Sequence, residues 1–419
     1  MTADPDKKVN AQPDPATPPP AAGHSAWDTV KRNARDYMMY IALVVIILYF
    51  TIRTNGLFMQ ARNISDLFNQ AAYVAVLAIG MTLILILKHI DLSVGFVAGF
   101  TGAIASILLM KGVHVVPTIL ICLLLGVAIG FYQGFLVTRV GVPAFVTTLA
   151  GMFIFRGLLA LSLQKTGTII ISDPFFNALC NDFIPDFREG GFPITIGGTV
   201  QNVHLVTMIL GILMIVLLII NSIRQRKHNL AYDFKVSSMA VFVVKLVIMA
   251  VVIFLMFWLL ATYKGIPWSA VIVTVFLLIY HHMLSHTRLG RHIYAIGGNE
   301  QAAELSGINV KNVTHFVFIS MSFMAALAGI LFTSRMRSAT PQAGIGFELD
   351  AIASAYIGGV AVSGGIGKVT NTIIGTLVII SLTNGMNLLG VDNSIQYIVK
   401  GLIFVVAVAF DVRTRRRAR

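Results

Sequence analysis

Past residue 36 the chain alternates long apolar runs with short polar breaks. A helix needs about 20 apolar residues to cross the hydrocarbon core of a bilayer. Runs of that order cover 37–52, 64–87, 91–110, 113–137, 143–163, 203–222, 238–262, 266–284, 313–335, 350–365, 367–389 and 395–411. The pattern predicts an all-α, polytopic transmembrane bundle of about 12 spans. The runs at 91–110 and 350–365 are short or glycine-rich and read as broken or re-entrant spans. Residues 1–35 differ: six of the chain's 13 prolines fall there, including Pro18-Pro19-Pro20, with few apolar residues to repay ordering. They predict a disordered tail. A cleaved signal peptide is not expected, because the first apolar run begins only near Tyr37 and no small-residue cleavage site follows it.

Composition agrees. Hydrophobic residues make up 57% of the 419 and charged residues only 12%, against about 25% charged in a soluble domain. The net charge of +13 raises nucleic acid as a partner. The cations lie in short clusters between apolar runs, not in a stripe interleaved with aromatics, so no nucleic acid is expected. Of the 31 Lys and Arg, 20 fall on the side of the N-terminus and eight on the other. The positive-inside rule then places both termini in the cytoplasm. The organisation expected is a cytoplasmic tail over 1–35, a transmembrane domain over 36–412 and a basic cytoplasmic tail over 413–419.

Two loops are long: 164–202 outside and 285–312 inside. In the inner one, Asn299 suits an N-cap, Glu300 suits the first turn, and Gly307 suits the position after a C-cap. A short helix is expected over Glu300 to Ser306. A helix of about seven residues is marginal alone. It either rests on its own membrane domain or docks on a cytoplasmic partner through Ala302, Ala303 and Leu305.

Ionisable residues inside a bilayer are costly and mark candidates for function. Asp91 and Arg156 are candidates for a solute pathway. Asp91 equally suits a cap on the third span, and Arg156 could snorkel to an interface. Lys400 is similar, and Lys245 reads as snorkelling inward. Asn384 and Asn387, three apart on one face, could bond a neutral solute or a neighbouring helix. Glu348 and Asp350 open the tenth span on the outer side, as caps or as a contact for an external protein. Asp91 with Gln133-Gly134 and Asp350 with Asn384-Gly385 echo one another as a faint internal repeat. His282 and His286 have a metal-ligand spacing, but no acidic partner or Cys is near, so no metal site is expected. Gly367-Lys368 resembles the end of a P-loop, but position 362 is Val and Val369 stands where Ser or Thr is required. No nucleophile, acid/base pair or nucleotide site is read. Cys122 and Cys180 give no disulfide.

The stretch Arg288-Leu289-Gly290-Arg291 through Ala295-Ile296-Gly297-Gly298-Asn299 to Ser306-Gly307-Ile308 resembles the cytoplasmic segment of the ribose/xylose/galactose family of ABC sugar-importer permeases. The same family is similar at Ile90 to Gly95, Glu348 to Ala353, Gly358-Gly359, Ser363-Gly364-Gly365 and Asn384 to Gly390. The resemblance implies a bacterial inner-membrane, multi-pass permease subunit that moves a monosaccharide by alternating access. It implies an ATP-binding subunit, carrying ATP and magnesium, docked on the inner loop at Gly290, Arg291, Gly297, Gly298, Asn299, Glu300, Ala303, Ser306 and Gly307. It also implies a periplasmic sugar-binding protein, a second permease copy and surrounding lipid, with no cofactor on this chain. Shorter, ribose-type members have one span between the outer and inner loops, whereas this chain has three. The added hairpin, 223–265, resembles the longer xylose and multiple-monosaccharide permeases. A permease for another small solute, or an ion-coupled carrier, are the other readings. The carrier would need paired carboxylates at mid-membrane.

Overall fold

In the computed structural model of the chain, the structure describes residues 34–188, 190–196, 199–232, 234, 236 and 238–418. The expected tail over 1–35 lies outside them, except for Ala34 and Arg35, which begin the first helix. The helices are α1 (Ala34–Arg53), α2 (Ala61–Ile86), α3 (Val94–Met110), α4 (Val115–Phe135, continued by a π turn to Val140), α5 (Ala144–Ser162) and α6 (Pro174–Asn181). There follow α7 (Leu205–Ala231), α8 (Met239–Ala261), α9 (Trp268–His286), α10 (Arg288–Gly298), α11 (Glu300–Leu305) and α12 (Val310–Met336). The last three are α13 (Phe347–Ile357), α14 (Val369–Leu388) and α15 (Asn393–Ala418). Among the described residues, eight helices are long and apolar enough to cross a bilayer, and three shorter apolar ones accompany them. The chain is a polytopic helical membrane protein.

Lipid-exposed backbone cannot be left unpaired, so the spans are helical, and among the described residues strands occur only in the connections. β1 (Ile169–Ile170) pairs antiparallel with β4 (Ser338–Ala339), and β2 (Phe192–Ile196) pairs with β3 (Thr199–Val203) in a hairpin. β1 and β4 lie in the connections after α5 and α12, and the β2–β3 hairpin lies between α6 and α7. The basic stretch expected as a separate tail from 413 continues α15 as helix to Ala418.

The core is built around α2 and α12, whose apolar windows are 94% and 78% buried. They run antiparallel: Tyr73 meets Phe332, and Gly80 lies against Met321 and Met324. Between membrane helices there is little hydrophobic drive, so close packing through small residues supplies the attraction. On α4, Gly126, Gly130 and Gly134 recur every fourth residue and seat α12 backbone directly. A Cβ on Gly130 would come within 2.5 Å of Ile319 Cα. Such a stripe tolerates no side chain.

The expected spans at 91–110 and 350–365 both depart from a simple crossing. α3 has 17 residues and α13 only 11. At 1.5 Å per residue α13 is about 16 Å long, half the hydrocarbon thickness. From Thr333 of α12, which contacts Gly102, the connection 337–346 folds back along α3: Ala343 contacts Gly99 and Gly344 contacts Gly95. The first turns of α3 and α13 therefore lie at one level, and the two helices run away from each other. Past Ile357 the chain continues as a non-helical linker, 358–368, until α14 begins.

Candidate coupling segment and buried polar groups

α10 and α11 form where the expected inner loop lies. The Thr287 hydroxyl accepts from Gly290 N at 3.2 Å and starts α10. Asn299 accepts from Ala302 N at 3.1 Å and starts α11, with Glu300 in its first turn. Gly307 takes a positive φ of 83°, which a β-carbon would strain, and ends the turn. The short helix thus forms where Asn299 and Gly307 predict it. Its faces differ from expectation. Ala303 is buried at 4%, but Leu305 is 90% exposed and Ala302 also faces out. One small side chain anchors α11, and its leucine projects into solvent.

The end of α10 is wedged into the bundle. Gly297 lies against the Ile86 carbonyl at the end of α2 and against Gly365 N, so any Cβ there would collide with backbone on two sides. Gly365 N donates to Ile86 O at 2.9 Å. Lys88 Nζ donates to Gly298 O at 3.3 Å. Tyr294 donates its hydroxyl to Gly367 O at 2.6 Å. Three pieces of chain meet here: the C-terminus of α2, the C-terminus of α10 and the linker 358–368. Beside them a cavity of about 540 Å³ opens between α9, Tyr294 and the start of α14. Within the linker, Gly364 N bonds Ala361 O and Ala361 N bonds Ile366 O, so part of the backbone is satisfied without a helix. Gly290 is buried, packed on the carbonyls of Met283 and Leu284, while Arg291, Gly298, Glu300 and Ser306 are exposed.

The proposed pathway residues do not form one site. Asp91 is fully buried; its Oδ1 accepts from Ser93 N at 2.9 Å and from Ser93 Oγ at 2.7 Å, shaping the turn into α3. Gln133 Nε2 donates to Ser93 Oγ at 2.8 Å and is backed by Gly151, joining α4 and α5 to that turn. Asp91 Oδ2 and Gln133 Oε1 have no partner among the described residues. Arg156 is exposed on α5, with its guanidinium 5.6 Å from the centre of the Phe96 ring. Asn384 exchanges two hydrogen bonds with Asn63 of α2, at 2.9 and 3.1 Å. Asn387 accepts from Gln396 of α15 at 2.7 Å. Both asparagines are engaged with neighbouring helices. Nothing in the sequence flagged Asn63, because its partner lies 321 residues away.

Glu348 and Asp350 sit in the first turn of α13, at the level where it meets α3. The Glu348 carboxylate lies against Gly95, and Lys400 Nζ of α15 sits 3.0 Å from both oxygens of Asp350. Across the described residues no group of three or more His, Cys, Asp or Glu could hold a metal. His282 and His286 stack, with ring centres 5.1 Å apart. Cys122 on α4 and Cys180 on α6 are free and buried.

Comparison with known proteins bears on this arrangement. The family described as branched-chain amino acid transport system / permease component matches residues 63–182 and 184–408. The xylose transport system permease protein XylH of Escherichia coli (strain K12) is 35% identical over 401 residues, 96% of this chain and 97% of that protein. XylH of Haemophilus influenzae is 34% identical over 92% of this chain and 98% of that protein. The ribose import permease protein RbsC of Escherichia coli (strain K12) is 32% identical over 88% and 91%. No solved structure matches. The matches run through α2 to α15 and include the α2–α10–linker junction, so this chain belongs to the family of ABC-importer permease subunits that includes the xylose and ribose permeases: multi-pass inner-membrane transport components, not enzymes.

Proposed function

We propose that the chain is the membrane subunit that moves a monosaccharide, xylose first among candidates, inward across the bilayer by alternating access. The observation that supports the sugar is likeness at nearly full length, 96% of this chain and 97% of XylH, with the added helix pair included. Energy enters at α10–α11. An ATP-binding subunit docks on the face of α11 that carries exposed Leu305, together with exposed Arg291 and Glu300. Its motion reaches the bundle through Gly297 and Tyr294, because those residues abut α2 and the linker 358–368. A linker without helical hydrogen bonds is the softest part of a span, and α13 is a short lever attached to it. ATP and magnesium stay on the partner.

A second copy of the chain supplies the other wall of the pathway, and exposed Arg156 and Gly157 on α5 are placed to face it. A sugar-binding protein delivers the solute at the end of the bundle opposite α11, with both chain termini cytoplasmic and 12 passes in all. Glu348, whose carboxylate lies buried against Gly95 of α3, and Asp350, paired with Lys400, both face into the bundle, so neither supplies that contact and it falls to the outer connections. The test is uptake of labelled xylose in cells lacking the chain and in cells with it restored. Uptake should depend on the chain, and excess leucine should not compete. Loss of leucine uptake instead, with xylose uptake intact, would favour the amino-acid reading that the family description raises.

A further inference from the structure

The added helix pair α7–α8 stands apart from the bundle. The two helices pack on each other, with Gly211 against Phe257. On α8 only Leu260 and Ala261, at one end, are buried. Along the rest of α8, Val244, Val247, Ile248, Val252 and Leu255 are all more than half exposed, as suits a helix bathed in lipid tails.

At the far end of the pair this apolar surface is interrupted. A cleft of about 260 Å³ lies between α7 and α8. From α7 it receives Ser222, Gln225, Arg226 and Asn229, and from α8 Phe242 and Lys245. The Arg226 guanidinium lies 4.8 Å from the centre of the Phe242 ring. Its described lining holds no acidic side chain. In sequence, residues 222–245 carry Arg224, Arg226, Lys227, Lys235 and Lys245 against the single acid Asp233.

Depth decides what such a cleft meets. Lys245 is six residues past Met239, the first residue of α8, and Arg226 is five residues before Ala231, the last of α7. At 1.5 Å per residue both lie about 8–9 Å inside the helix ends. That is where headgroups give way to acyl chains. Lysine there needs a counter-charge or water. Deeper still, Leu246 and Met249 continue the same wall with apolar side chains. A cationic, hydrogen-bonding mouth above an apolar groove matches a phosphate joined to an acyl chain.

We propose that the cleft between α7 and α8 binds an anionic phospholipid. Lys245 faces the phosphodiester, with the Arg226 side chain beside it. Ser222, Gln225 and Asn229 bond its oxygens, and an acyl chain lies along Leu246 and Met249. The added hairpin is then a lipid-reading element as well as a pair of spans.

The test is lipid binding to the detergent-purified full chain, followed by native mass spectrometry and by thermal stability. Phosphatidylglycerol should bind and raise the melting temperature, whereas phosphatidylcholine and inorganic phosphate should not. Lys245→Met should weaken phosphatidylglycerol binding about five- to tenfold, the worth of one cation at an anionic surface. Lys245→Arg should retain it, and Lys264→Met, past the other end of α8, should leave it unchanged. Equal binding of the two lipids, an unchanged preference in Lys245→Met, or displacement by inorganic phosphate would each overturn the proposal.

Discussion

The Tyr294 hydroxyl donates to the Gly367 carbonyl at 2.6 Å, tying the segment that leads into α11 to the non-helical linker of a broken span. A neutral hydrogen bond contributes about 1 kcal/mol. Tyr294→Phe should therefore insert and fold normally and still retain the ATP-binding subunit. Sugar moved per ATP hydrolysed should fall several-fold. Unchanged stoichiometry in proteoliposomes would remove Tyr294 from the coupling route.

Gly297 and Gly298 are neighbours with opposite tolerance. A Cβ on Gly297 strikes the Ile86 carbonyl and Gly365 N, whereas one on Gly298 meets nothing within 4 Å. Overpacking against backbone costs about 1–3 kcal/mol. Gly297→Ala should lower the melting temperature and uptake, and Gly297→Pro should abolish uptake. Gly298→Ala should leave stability unchanged. Equal thermal shifts for the two alanine variants would contradict the wedge.

The Asp350–Lys400 pair joins α13 to α15 with both carboxylate oxygens 3.0 Å from Nζ. Both side chains are only part-buried, 14% and 20% exposed, so removing one partner costs less than in a fully buried pair, on the order of 1–2 kcal/mol. Asp350→Asn should destabilise the protein by that order, and adding Lys400→Met should restore most of the loss. Additive losses in the double variant, followed by thermal melting, would show that the two side chains act independently.

Asp186 caps the start of α7 from the connection after α6. Its Oδ2 accepts from Leu205 N at 2.9 Å and its Oδ1 from Val206 N at 3.1 Å. Partial burial pushes this carboxyl up, but the amides of Val206, Leu205 and Phe187, with the His204 ring, outweigh it and hold it below the ordinary carboxylate range. A depressed value in the folded state stabilises the cap above the ordinary carboxylate pKa. That stability is lost as pH falls through the folded value. The protection factors of the Leu205 and Val206 amides should fall on acidification below about pH 4, and Asp186→Ala should show low protection already at neutral pH. Full protection of both amides at neutral pH in Asp186→Ala would refute the cap.

Much of this architecture is legible in the sequence because its causes are local. Apolar run length marks the spans, and Asn299 and Gly307 mark the ends of a six-residue helix. Gly358-Gly359 and Ser363-Gly364-Gly365 announce the break at 358–368. What the sequence hides depends on distant partners. Asn63 pairs with Asn384, and Lys400 with Asp350, only once α2, α13, α14 and α15 are assembled. The outward turn of Leu305 follows from burying Ala303, a choice between two faces of one short helix that composition does not decide.

The central claim is that energy enters from a partner through α11. Its most direct measurement is ATP-dependent xylose uptake in proteoliposomes holding the chain with its ATP-binding subunit. Glu304→Lys and a Leu305→Asp variant are compared with the unaltered chain. The account predicts no hydrolysis by the chain alone, hydrolysis and uptake by the complex, and loss of both subunit retention and uptake in the two variants. Hydrolysis by the isolated chain, or full uptake with α11 altered, would contradict it.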